Sequence, residues 1–201
     1  MDVLKIFVSS ILAGVMIGIG GMVYLLSDYK FVGAILFAVG LFGIMSFKLH
    51  LYTGKAGYIL ENKPIFLAEI LIIIVGNFIG CLAMGLAFPL DQAVLTVDKK
   101  LSADLLIVFF KAICCGILMF IAVDVYKTKK SFLGVFVCVP AFILAGFEHS
   151  IANMFFLSSA GAFTMDAFIF TLVVLLGNAV GCLAIPAYKK YLEKEDPTPN
   201  A

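Results

Sequence analysis

GNFIGCLAMGLAF, residues 76–88, returns as GNAVGCLAIPAY, residues 177–188. Gly177 follows Gly76 by 101 positions, half the chain. Each copy closes the last of three long apolar runs: about 6–27, 31–60 and 64–88 in the first half, and 104–126, 132–157 and 166–188 in the second. A membrane-crossing helix needs about 20 mostly apolar residues, and all six runs qualify. Three is odd, so a second copy of three helices enters the membrane the other way up. An offset of 100 lays Phe47 on Phe147 and Thr53 on Asn153. The expected fold is an all-α membrane bundle of six transmembrane helices, an inverted 3+3 repeat. Residues 1–190 form a single transmembrane domain with halves of about 1–100 and 101–190. Residues 191–201 form a polar, disordered tail.

The second run is too long for one straight crossing at roughly 1.5 Å per residue. It carries the polar stretch KLHLYTGK, residues 48–55, in its middle. The fifth run carries FEHSIANM, residues 147–154, in the same relative place. Polar backbone at mid-membrane depth is tolerated only where protein or a water-filled cavity surrounds it, so the second and fifth helices are expected to be broken. Inverted repeats with paired broken helices are a transport architecture, with the site at the repeat interface. The GNxxG spacing (Gly76 and Gly80, Gly177 and Gly181) puts small residues on one helix face and reads as close helix packing.

Composition agrees. Of 201 residues, 63% are hydrophobic and 13% charged, against about 45–50% and 25% in an average soluble domain. Such a chain cannot hide its apolar surface in a soluble globule. That argues against a soluble enzyme, a nucleic-acid partner and a disordered linker. All 14 basic residues are Lys; Arg and Trp are absent, which removes the Arg fork for bidentate phosphate recognition. The five cysteines lie in apolar runs without metal-ligand spacing and read as small core residues, so no metal and no cofactor is expected. The first apolar run is too long for a signal-peptide core and reads as a retained helix. Lys5, Lys63, Lys127, Lys129, Lys130, Lys189, Lys190 and Lys194 fall on one side of the membrane, and only Lys30, Lys99 and Lys100 on the other. The lysine bias puts both termini in the cytoplasm of a multi-pass cell-membrane protein surrounded by lipid.

Ionisable groups at membrane depth are costly and point to function. His149 changes charge near neutral pH and is the candidate proton donor, acceptor or hydrogen-bond donor, with Glu148 and Asn153 beside it at the fifth-helix break. Glu148 is expected to bind backbone amides or a lysine rather than line a pore. Lys48, His50 and Lys55 cluster at the other break and would attract anions. Glu61 and Glu69 are expected to neutralise them. Lys111 either snorkels to the surface or adds inward positive potential. Thr53 offers a hydroxyl, either to an oxyanion or as a helix cap. Phe37, Leu41, Tyr52 and Phe142 are candidates for apolar constrictions.

These residues resemble a known family. GFEHSIANMFF (Gly146 to Phe156) is similar to the signature of the formate/nitrite transporters, and LYTG (Leu51 to Gly54) to its usual LFTG. ILAGVMIGIGG, FAVGL, FFKAICCGIL and GNFIG follow in the family's order. The resemblance implies an aquaporin-like fold, a homopentamer with a pore in each protomer, and permeation of small monovalent anions such as formate, nitrite, hydrosulfide or short monocarboxylates. It implies that His149 is the central histidine and Thr53 the threonine of a mobile loop. Phe142 and Leu41 would form the cytoplasmic constriction, Phe37, Leu51, Tyr52 and Met119 the periplasmic one, and Lys111 a vestibule lysine. His50, Tyr52, Lys55 and Gly116 depart from the family's usual residues and change charge or polarity near the filter. The expected function is anion transport with a proton relayed by His149 and no enzyme activity. The alternatives are a water- or urea-type channel and an intramembrane enzyme using His149 and Glu148.

Overall fold

A computed structural model describes residues 2–195. Among these residues the protein forms nine α-helices: α1 Val3–Leu26, α2 Lys30–Ser46, α3 Tyr52–Ala56, α4 Phe66–Ala87, α5 Asp91–Leu101, α6 Leu105–Lys129, α7 Leu133–Leu144, α8 Ser150–Ser159 and α9 Met165–Glu195, with one 3-10 turn at Ile59–Glu61. Helices α1, α4, α6 and α9 are long and apolar enough to cross a membrane. Run 31–60 is divided into α2, α3 and the 3-10 turn, and run 132–157 into α7 and α8.

Two differences from the sequence reading stand out. The stretch between the third and fourth runs is a helix, α5, whose Ala93 and Val97 are buried. The first residues of the expected polar tail, Tyr191 to Glu195, continue helix α9, and residues 196–201 lie outside the described residues.

The two halves repeat one packing scheme. α1 packs on α4 and α2, and α6 packs on α9 and α7; α2 and α7 meet where the halves join. Glycines permit the tightest of these approaches. A Cβ on Gly80 would strike the Ile11 carbonyl oxygen, and one on Gly181 that of Ile113. This is the close contact expected of the GNxxG spacing.

The helix ends at the two breaks also match. Phe47 N–H donates to the Gly43 carbonyl (3.0 Å) and Leu49 N–H to that of Ile44 (2.9 Å); Ala145 N–H donates to Ala141 (3.0 Å) and Phe147 N–H to Phe142 (2.9 Å). Between them sit Lys48 at φ 55° and Gly146 at φ 67°. This left-handed residue after the last turn satisfies carbonyls that would otherwise be orphaned. The matching positions differ by 98, not 100, so Thr53 corresponds to Ile151, and Leu51 and Tyr52 correspond to His149 and Ser150. Aligning Phe47 with Phe147 had followed side-chain identity; the turn follows backbone conformation instead.

Candidate functional site at the junction of the two halves

Each break exposes backbone groups deep in the bundle, and each is fastened by one asparagine. Asn77 of α4 donates through Nδ2 to the carbonyls of Ser10 (2.8 Å) and His50 (2.9 Å), and its Oδ1 accepts from Tyr52 N–H (2.9 Å). Asn178 of α9 donates to Ala112 (2.8 Å) and Glu148 (2.8 Å) and accepts from Ser150 N–H (2.8 Å). A carboxamide is suited to this task, with two donors and an acceptor in one plane. Both asparagines are fully buried. They are the Asn of the repeated GN pair, which the sequence reading took for packing alone.

The halves are also tied across the junction. Cys81 shares its single S–H between the carbonyls of Gly14 (3.4 Å) and Ile151 (3.3 Å), and Cys182 between those of Gly116 (3.3 Å) and Thr53 (3.4 Å). All five cysteines are free thiols. Cys81 and Cys182 therefore pack as small core residues and also hold the start of the opposite half's short helix.

His149 sits at the N-cap of α8. Its Nδ1 accepts from Ala152 N–H (3.1 Å), satisfying one of the helix's free donors. Nδ1 therefore carries the lone pair, and the neutral ring carries its proton on Nε2. That nitrogen lies 3.0 Å from Thr53 Oγ1 and donates to it. Thr53 is 1% exposed and His149 2%. Thr53 is not the cap of α3, since Leu51 holds that position and makes no side-chain cap bond. Phe142 stacks on the imidazole with centroids 5.6 Å apart and planes at 19°, and Phe37 meets Phe142 edge-on at 6.1 Å. Rather than facing an open pore, the ring is sealed in this conformation by an aromatic on its face and a hydroxyl at its donor. Ser150, next in sequence, has the one buried side-chain polar atom among the described residues without a partner.

Glu148 meets a lysine, but from an unexpected source. Its Oε2 accepts from Lys100 Nζ of α5 and from Asn153 Nδ2 (2.8 Å). Glu148 and Asn153 are buried beside His149. Lys100 lies on α5, outside the six apolar runs, and only the fold brings it to Glu148.

On the side where α6 ends, a cavity of about 240 Å³ opens between the halves. Leu41 and Leu51 both line it. Lys48 and Lys55 line it too, with Lys127 and Lys130 from the end of α6. His50 is turned away: Ser9 Oγ lies 2.8 Å from its Nδ1 and accepts from its backbone N–H (3.1 Å). The Tyr52 hydroxyl donates to the Leu175 carbonyl (2.8 Å), fixing its ring against α9. Met119 is buried in α6, and Lys111 is half-buried and makes no ion pair among the described residues. Glu61 and Glu69 form no ion pairs either, so they do not neutralise the lysines at the break by direct contact.

An all-helical bundle with helices long and apolar enough to cross a membrane is the layout of a multi-pass membrane protein. The chain belongs to the formate/nitrite transporter family, whose sequence profile, described as Formate/nitrite transporter, matches residues 1–192. Membership sets it among transporters rather than enzymes. It is 27% identical over 176 residues to the uncharacterized transporter YrhG of Bacillus subtilis, covering 75% of this chain and 66% of that protein. It is 29% identical over 92 residues to the nitrite transporter NirC of Escherichia coli, covering 39% and 34%. A probable formate transporter of Methanothermobacter thermautotrophicus is 25% identical over 230 residues, covering 88% and 84%. The match thus spans just under two thirds of YrhG and about a third of NirC. Two solved structures share the fold at 22% identity. A pentameric formate channel with formate bound superposes with a TM-score of 0.82 over 96% of this chain and 98% of that one, and an FNT family ion channel with 0.83 over 98% and 92%.

Proposed function

We propose that the protein carries small monovalent anions (formate, nitrite, hydrosulfide or short monocarboxylates) across the cell membrane, through a path in each protomer of a homopentamer. Each protomer is read as six crossings, with α2–α3 and α7–α8 as the two broken ones, inverted relative to each other, and both termini cytoplasmic. The observation that carries this reading is the His149–Thr53 pair: two buried polar side chains, one from each break, bonded to each other at the junction.

The cavity lysines raise local anion concentration. Leu41, Phe142, Phe37, Leu51, Tyr52 and Met119 present apolar surface, which an ion cannot cross bare in a medium of low dielectric. Thr53 and His149 offset that cost. With Nε2–H given to Thr53 Oγ1, the threonine hydroxyl hydrogen is free to meet a carboxylate oxygen once Phe142 turns aside. A neutral imidazole that lost its Nε2 proton would become an imidazolate, so proton transfer requires Nδ1 to take a proton from water admitted to the opened site as Nε2 gives one up through Thr53 Oγ1 to the anion. Protonating Nδ1 displaces Ala152 N–H, and the relay is therefore coupled to release of the α8 cap. The anion leaves as a neutral weak acid. A pH-resolved uptake panel in proteoliposomes with formate, nitrite, hydrosulfide, acetate and lactate tests this. Uptake of the weak-acid anions that rises toward acid pH supports it; uptake of urea or glycerol without the anions overturns it.

A further inference from the structure

Four lysines from two different segments line the 240 Å³ cavity: Lys48 and Lys55 around the first break, Lys127 and Lys130 at the end of α6. None of the four forms an ion pair among the described residues, whereas Lys5, Lys100 and Lys189 all do. The carboxylates whose charges are felt there, Glu69 at Lys55 and Glu61 and Asp124 at Lys127, lie beyond ion-pairing distance. Asp124 is already engaged by Lys189 (3.4 Å) and the Tyr58 hydroxyl (3.3 Å). Lys127 rests over the Tyr58 ring at 3.1 Å.

The simplest competing explanation is that the lysines only neutralise helix ends. α2 and α6 both terminate at this cavity, and each contributes roughly half a negative charge. Together they offset about one of the four cations. Backbone conformation points the same way. Lys48 and Lys130 are the only non-glycine residues with positive φ among the described residues, at 55° and 53°. Glycine would hold both turns without the cost, about 1 kcal/mol or more, of a side chain in this conformation. The strain is spent on two positions that carry cavity charge.

A single monovalent permeant leaves most of this excess uncompensated. We propose that the cavity is a binding site for a polyvalent oxyanion of the phosphate class, which occupies the mouth of the pathway and slows permeation from that side. At about 30 Å³ per water molecule, the space holds roughly eight waters, enough for a small inorganic or organic phosphate. A lipid headgroup shares this chemistry; the position between the ends of α2 and α6, lined on both sides by lysines, is assigned to a soluble anion, and the experiment below separates the two. The effect on flux rests on the transport reading, but the binding does not.

Calorimetry of the purified protein in nonionic detergent, titrated with pyrophosphate, reads the binding directly. Wild type binds, more weakly as salt rises, and the Lys127→Gln/Lys130→Gly double variant binds at least about tenfold more weakly, a loss of about 1.4 kcal/mol. Lys130→Gly suits the left-handed turn, which separates charge loss from misfolding. In proteoliposomes, pyrophosphate on the cavity side slows formate flux through wild type and not through the variant. No binding by wild type at millimolar pyrophosphate, equal binding by the variant, or binding abolished by a trace of phosphatidic acid in the micelles would overturn the soluble-anion site. Binding without slowed flux would overturn the occlusion. Pyrophosphate bound by a protein that moves no formate would sink the transport reading while upholding this site.

Discussion

Thr53 Oγ1 and His149 Nε2 are 3.0 Å apart although 96 positions separate them in the chain. The contact joins the second residue of α3 to the N-cap of α8, the short helices of opposite halves. It is made possible by two identical turns, two asparagine clamps and two cysteine ties that bring both breaks to one depth.

Thr53→Val keeps the shape of the side chain and removes the hydroxyl. It leaves the Nε2–H of His149 buried without an acceptor, a cost of about 1–3 kcal/mol. Formate uptake in proteoliposomes is expected to fall by about tenfold or more, with Thr53→Ser restoring most of it. Equal uptake by the Val and Ser variants would remove Thr53 from the pathway.

Asn77 and Asn178 each satisfy two carbonyls and one N–H. Replacing either by Ala strands one carbonyl and one N–H at the break, His50 and Tyr52 or Glu148 and Ser150, while the Ser10 and Ala112 carbonyls keep their helical bonds; a loss of about 1–3 kcal/mol is expected for each stranded group. The two variants should lower the melting temperature in detergent by similar amounts, because the clamps are equivalent. A large loss from one and none from the other would contradict that equivalence.

Ser150 tests the opposite sign. Its hydroxyl is buried without a partner, so Ser150→Ala removes a desolvation penalty rather than a bond. The melting temperature is expected to hold or rise. A clear fall would mean that the hydroxyl is bonded in the folded protein after all.

Lys48 combines strain and charge, which two substitutions separate. Lys48→Gly relieves the positive φ and should raise stability, while Lys48→Gln keeps the strain. Both remove the same charge and should reduce anion uptake equally at low salt, with the difference vanishing as salt rises. Unequal uptake would assign the effect to the backbone.

The repeat was legible because its packing demands particular letters. Gly76, Asn77, Gly80 and Cys81 recur as Gly177, Asn178, Gly181 and Cys182, since a close approach, a three-way clamp and a thiol tie admit few substitutes. His149, Glu148 and Asn153 were legible because polar groups are rare at that depth. The register of the breaks was not, because the turn accepts Lys48 in one half and Gly146 in the other. Helix α5 escaped notice because its buried Ala93 and Val97 are small and spaced between polar residues instead of forming an apolar run. The ion pair of Lys100 with Glu148, and the gathering of Lys48, Lys55, Lys127 and Lys130 around one cavity, are long-range consequences of folding that no local pattern encodes.

The central claim is that His149 supplies the proton that lets a weak-acid anion cross. It is tested most directly by formate flux into proteoliposomes from acid to alkaline pH, comparing wild type with His149→Ala. A carboxylate with an ordinary pKa of about 4 is almost wholly ionised near neutrality, so crossing as the acid needs a donor. Wild-type flux should climb as pH falls, and the variant should lose both most of the flux and its pH dependence. Matching flux and matching pH profiles in the two proteins would contradict the account.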